Sequence, residues 1–204
     1  LAFKMAEEVV YGVYGSLEPE RAAEQAIRTG TAILTDGVTA AHIHGIARVA
    51  IKRGREGSHL AIYFAGPMRS AGGTEQALVV VLGDYVRRIL GLEAWRASEE
   101  EIGRFLEELR LYEREVGRFQ YHVSDETIRF VLKNLPVEVT GIKTDPIEVS
   151  TFRDIPGIET NALRGGALRV VNDGIAGRAS KTRSISSVVV HLPRLNLSEP
   201  CACS

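Results

Sequence analysis

Cysteine is nearly missing from this chain of 204 residues: it has two, Cys201 and Cys203, one residue apart near the end. Such a pair forms neither a disulfide framework nor a four-ligand zinc site by itself, which points to a reducing, cytoplasmic setting. Long apolar runs are lacking as well. The longest, at 77–82, falls far short of the roughly 18 residues that a membrane span requires, so no membrane partner is expected. The first ten residues break their apolar positions with Lys4, Glu7 and Glu8, which excludes the charge-free stretch of an export signal. Nor is there an excess of positive charge. Lys plus Arg total 25 against 26 for Asp plus Glu, so any nucleic-acid contact must come from a local basic surface. The chain opens on Leu1 instead of methionine, as expected of a segment of a longer polypeptide.

What is present is the composition of a folded body: 45% hydrophobic and 25% charged residues, enough to bury a core. Phe3, Ala6, Val10 and Val13 recur at helical spacing before Gly15, and Pro19 opens a second helical stripe through Ala22, Ala23, Ala26 and Ile27 that ends near Leu34, with Asp36-Gly37 as a stop. β-prone runs at 46–52 and 60–64 flank a polar loop, Gly54 to Gly57, and read as a hairpin. A glycine-rich turn at 66–74 then leads into a long helix over 75–90 with Gly91 past its end. Ser98 with Glu101 forms a capping box ahead of Ile102, Phe105, Leu106 and Leu109, and Ser124 opens a further helix that runs to about Leu135, before Pro136. Beyond it, turn signals separate short strands, the clearest at 167–171. The expected class is α+β: a helical N-terminal part, a hairpin with glycine turn and long helix, then a helix-rich and short-strand mixed region. Residues 1–181 form its body, with a possible subdivision near 95–136, and 182–204 a divergent or disordered tail.

The turn around Gly72-Gly73 has two readings. In one, free backbone N–H groups and the positive end of the following helix face an anion, with Arg69 as a forked donor and Ser70 or Thr74 as hydroxyls. In the other, the glycines permit a tight turn and close packing while Thr74 caps the helix. The stretch lacks the lysine of a P-loop and the spacing of a dinucleotide fingerprint, so neither ATP nor NAD is expected. Arg164-Gly165-Gly166 offers the same pair of readings, as a second backbone-binding loop or as a turn whose left-handed position demands glycine.

His42 and His44 would share one side of a strand, but no third metal ligand accompanies them, and an exposed loop pair fits them better. Asp145, Glu148 and Asp154 are acids that a mixed loop region would have to gather to hold Mg²⁺. Glu99 to Glu101 and Glu107-Glu108 read as solvated helix faces. Neither a nucleophile elbow nor a Cys-His couple is present, and no catalytic residue is expected in this stretch.

Several long strings, taken together and in order, resemble the large subunit of D-family archaeal DNA polymerase. They are "AIYFAGPMRSAGGTEQALVVVLGDYVRRILGL" at 61–92, "QYHVSDETIRFVLKNLPVEVTG" at 120–141 and "GIETNALRGGALRV" at 157–170, preceded by "RTGTAILTDGVTAAHIHGIARVAIKR" at 28–53. The resemblance implies a two-subunit replicative DNA-directed DNA polymerase, a nucleotidyltransferase whose small subunit is an exonuclease. Its Mg²⁺-binding aspartates belong to a downstream region without counterpart here, so this stretch carries no cofactor and is inactive alone. The implied role is a non-catalytic scaffold that contacts DNA, with the small subunit and the remainder of the large subunit as further partners; the alternative is an assembly module that docks the small subunit or another copy of itself, through the apolar helix faces at Phe105, Leu109 and Phe130. Arg69, Ser70, Gly72, Gly73 and Thr74 occupy the family's glycine-rich turn, and Arg164, Gly165 and Gly166 its second one, as candidate DNA or phosphate contacts. Met68 and Glu75 depart from the family's usual isoleucine and small residue, and after Lys181 the lysine-rich continuation is replaced.

Overall fold

Two helices start the chain, α1 (Ala2–Val10) and α2 (Pro19–Leu34), the second opened by Pro19, whose missing N–H costs nothing in the first turn. The computed structural model describes residues 1–35 and 41–178; the Asp36-Gly37 stop, the side chain of His42, and the tail at 182–204 with Cys201 and Cys203 lie outside the described residues. α1 stops three residues short of the expected Val13. Gly12 and Gly15, at φ 75° and 126°, turn the chain there, a conformation in which a side chain is strained.

After a helical turn, α3 (Ala41–His44), come the hairpin strands β1 (Ile46–Arg53) and β2 (Ser58–Phe64), which pair antiparallel. β3 (Glu138–Gly141) adds parallel on the other side of β2, giving the order β1-β2-β3. A parallel neighbour requires a crossover, and the chain makes it through α4 (Gly73–Ile89), α5 (Glu99–Glu115) and α6 (Asp125–Asn134). From Leu60 to Phe64, β2 is buried at every position, as befits a central strand covered on both faces. The edge strand is closed by α2: Val49 N–H donates to Glu24 at 3.2 Å and Ile51 N–H to Glu20 at 2.8 Å. An open edge would invite a foreign strand, and these two carboxylates occupy its donors.

The α+β class holds, and so do the caps. Ser98 accepts from Glu101 N–H at 3.1 Å while Glu101 accepts from Ser98 N–H at 2.7 Å, and Ser124 caps α6. α4 approaches β2 so closely that a Cβ at Gly83 would lie 2.6 Å from the Ile62 side chain. One apolar core draws on all these elements except the short α3, and each fully buried Leu, Ile or Phe in it contributes about 1.5–3 kcal/mol.

The expected strand at 167–171 is a helix. α7 (Gly165–Arg169) continues into a wider, π-helical stretch, Val170–Ala176, and both are buried at nearly every position. A short apolar run is compatible with a buried strand or a buried helix by periodicity alone, and burial all round the axis erased the helical stripe. The wide turn has a visible purpose. Asn172 donates to Tyr121 O at 2.9 Å, Asp173 accepts from Gln120 N–H at 2.9 Å, and Arg169 donates to Asp173 at 2.6 Å and Arg118 O at 2.8 Å. Its polar groups thus clamp the 118–121 connection, satisfying both sides of the contact.

Candidate functional site

The first glycine turn follows β2 directly. Gly66–Ser70 forms a 3₁₀ turn whose Met68 is fully buried, and α4 starts at Gly73. From beneath, the buried Gln76 amide donates to Met68 O at 3.1 Å and Ala71 O at 3.0 Å, which fixes the turn's path. Ser70, Gly72 and Thr74 are exposed, whereas Gly73 is buried. Gly72 N–H, a donor of the kind an anion would use, goes to Glu75 Oε2 at 2.9 Å. Arg69 is paired with Asp145, their side chains being 27% and 14% exposed. The Thr144 hydroxyl also reaches Asp145, at 2.9 Å, and accepts from Gly165 N–H at 2.8 Å.

That last bond joins the first turn to the second. Gly165 and Gly166 open α7 directly against the first turn: a Cβ on Gly166 would stand 2.4 Å from Ala65 O, and one on Gly165 would stand 2.8 Å from the Arg69 guanidinium. Glycine is needed at 166, where backbone stands in the way, whereas at 165 the nearest atoms are the end of the Arg69 side chain. The sequence treats the turns as separate candidates; the structure brings them together.

Arg164 is sealed inside. Its Nη2 meets Glu108 Oε2 at 2.6 Å, its Nη1 donates to Thr140 Oγ1 at 2.9 Å, and the guanidinium lies 4.6 Å above the Phe105 ring. Arg104 shares the same carboxylate, 3.4 Å away, and donates to Phe152 O at 2.8 Å and Thr160 O at 3.0 Å. Arg104, Glu108 and Arg164 are all about 0–1% exposed, so two cations rest on one anion plus backbone carbonyls. Burial pushes the Arg104 pKa down, against the opposing pull of Glu108. The neighbouring Glu107 holds the loop that supplies a carbonyl to Arg104. Burial raises its carboxyl pKa, but N–H groups of Thr151, Phe152 and Ser150 outweigh that and hold it at about 2.

Glu108 is therefore a correction to the solvated-face expectation. It sits three residues from Phe105 on the apolar side of α5, and that spacing, with Arg104 at i−4, was the available signal. Phe105 and Leu109 are also buried in the core, so the docking face expected there is closed; Phe130 remains exposed. His44 lies on the turn α3 and not in a strand, and His122 is exposed. Asp145, Glu148 and Asp154 do not converge: they face Arg69, Arg153 and Asn161 respectively. Among the described residues no group of three or more His, Cys, Asp or Glu is placed to hold a metal ion, so this donor set does not fit Mg²⁺. One cluster had no signal in the sequence. Glu138 accepts from Lys52 at 2.6 Å and lies 2.9 Å from His59 at the floor of a cleft of about 460 Å³, uniting residues far apart along the chain. No helix among the described residues is long and apolar enough to cross a membrane.

The sequence pattern of the family described as "DNA polymerase II large subunit DP2, N-terminal" matches residues 1–191. Among curated proteins, the DNA polymerase II large subunit of Pyrococcus horikoshii is 52% identical over 184 residues, covering 88% of this chain and 13% of that protein. Its counterpart in Methanococcus maripaludis is 47% identical over 197 residues, 96% of this chain and 17% of that protein. That of Thermococcus kodakarensis is 50% identical over 184 residues, 88% of this chain and 10% of that protein. The chain thus spans a small part of the length of these relatives.

Proposed function

This chain belongs to the family of the N-terminal region of the DNA polymerase II large subunit, and from that premise we propose that it is a non-catalytic framework segment of a DNA-directed DNA polymerase, with DNA contact confined to its outer glycine turn. One observation carries the framework half: every charged side chain of the two turns has an internal partner, and the buried one, Arg164, is bonded to Glu108 and Thr140 beyond reach of solvent. A group so enclosed positions secondary structure and cannot meet a ligand. The eight candidate residues then divide by exposure. Gly73, Arg164, Gly165 and Gly166 make the joint, and Arg69, Ser70, Gly72 and Thr74 present its accessible side.

Mg²⁺ and the bond-making step are assigned to another part of the large subunit, in line with the scattered carboxylates here. The remainder of the large subunit and the small, exonuclease subunit are the proposed protein partners. Titration of fluorescent primer-template DNA with the chain at low salt tests the contact half. Binding that weakens as salt rises is expected, because phosphate attraction releases counterions. Undiminished binding by an Arg69→Ala variant, or no binding at low salt, removes DNA contact at this turn and leaves the framework role.

A further inference from the structure

We propose that Asp145 is a gate on the outer turn: it holds the Arg69 guanidinium in this structure and yields it to a DNA phosphate when the polymerase engages its substrate. The proposal rests on the DNA-contact reading above and adds the residue that regulates it. Three features of the geometry carry it.

First, the pair is accessible where its neighbour is not. Arg69 and Asp145 keep 27% and 14% of their side chains exposed, against about 0–1% for Arg164 and Glu108 only a turn away. Exchange of one anion for another needs solvent access, and only the outer pair has it. Second, the guanidinium is incompletely used. Its Nε is buried with no acceptor, although a fork of this kind satisfies two oxygens at once when it meets a carboxylate or phosphate edge-on. Third, no side chain from position 165 covers it: a Cβ there would stand 2.8 Å from Nη2 and 2.9 Å from Nε, and the Tyr112 ring centroid lies 5.8 Å from the guanidinium centre. Asp145 would not be left bare on release, because the Thr144 hydroxyl already donates to it at 2.9 Å. Lys143, two residues earlier and exposed, and the exposed Ser70 and Thr74 hydroxyls are further donors suited to a phosphodiester.

The test is a double-variant cycle on DNA affinity, read by anisotropy of labelled primer-template DNA with the full chain. Asp145→Asn, which keeps the shape and removes the charge, is expected to tighten binding roughly two- to fivefold, the scale of an ion pair that water partly screens. The logarithmic salt slope is expected to stay the same, because Arg69 meets the same phosphate in both bound forms. In an Arg69→Ala background the same substitution is expected to gain nothing. An equal gain in both backgrounds would make Asp145 a general repulsive charge and overturn the gate, as would wild-type affinity in Asp145→Asn alone. If the unmodified chain binds no DNA at low salt, the DNA-contact reading fails as well, which separates the two failures. Thermal unfolding of each variant accompanies the titrations. A loss of affinity in Asp145→Asn that follows a lowered Tm would show that Asp145 only supports the fold, and would also overturn the proposal.

Discussion

Arg164 and Arg69 each belong to a glycine turn, and the turns touch, yet the two arginines live under different physics. Arg164 sits with Arg104 over one carboxylate in a site closed to water, where any unpaired charge is severely penalised. Arg69 meets Asp145 in a part-buried position, with 27% and 14% of their side chains exposed, so water screens this pair more than the inner one. The lesson is that a glycine-arginine motif does not announce its role. Burial decides whether the guanidinium builds the fold or remains available to a ligand, and the burial of Arg164 follows from Glu108 and Phe105 of α5 packing over the start of α7.

The largest effect should come from attacking the inner site. Glu108→Ala leaves Arg104 and Arg164 buried without their carboxylate and is expected to destabilise the chain by about 3–5 kcal/mol in urea unfolding. Arg69→Ala, its counterpart outside, is expected to change stability by less than about 1 kcal/mol. Equal losses would erase the distinction between the turns.

The glycines sharpen it further. Gly166→Ala drives a methyl into Ala65 O, a backbone atom that cannot swing aside, and about 1–3 kcal/mol of destabilisation is expected by the same measurement. Gly165→Ala meets mainly the flexible end of Arg69, so a smaller loss is expected, below about 1 kcal/mol, together with altered DNA titration.

Glu107 extends the comparison to pH. Its folded carboxyl titrates at about 2 against an ordinary 4.5, so the unfolded chain takes up the proton first as acid is added. Its contribution is complete above about 4.5 and disappears as pH falls toward about 2. Glu107→Gln is expected to cost about 1–2 kcal/mol at neutral pH, after allowance for solvent screening, and the gap from wild type should close across that window in pH-dependent unfolding. A small effect is also expected at the start of α5: Ser98→Ala removes a cap and should lower stability by about 1 kcal/mol or less, without touching either turn.

Much of this molecule was legible before any coordinate. Pro19, the Ser98-Glu101 box, Ser124 and Gly91 mark local chemistry that acts within a few residues, and the helix and hairpin limits follow them closely. What stayed hidden depends on partners distant in sequence. Val170 and Val171 read as strand because a helix buried on all sides has no polar face. Glu108 read as surface because its partner Arg164 lies 56 residues away. At the candidate site, the strings at 61–92 and 157–170 carried the family, which the comparisons bear out. That the two turns form one joint, and that Asp145 sits on Arg69, required the folded arrangement.

In the proposed function, this chain frames a polymerase and leaves the chemistry to another part of it. Primer extension by the purified chain, supplied with magnesium, primer-template DNA and all four deoxynucleoside triphosphates, addresses it most directly. No incorporated nucleotide above the background without protein is expected, and a primer lengthened by the chain alone would overturn the framework role.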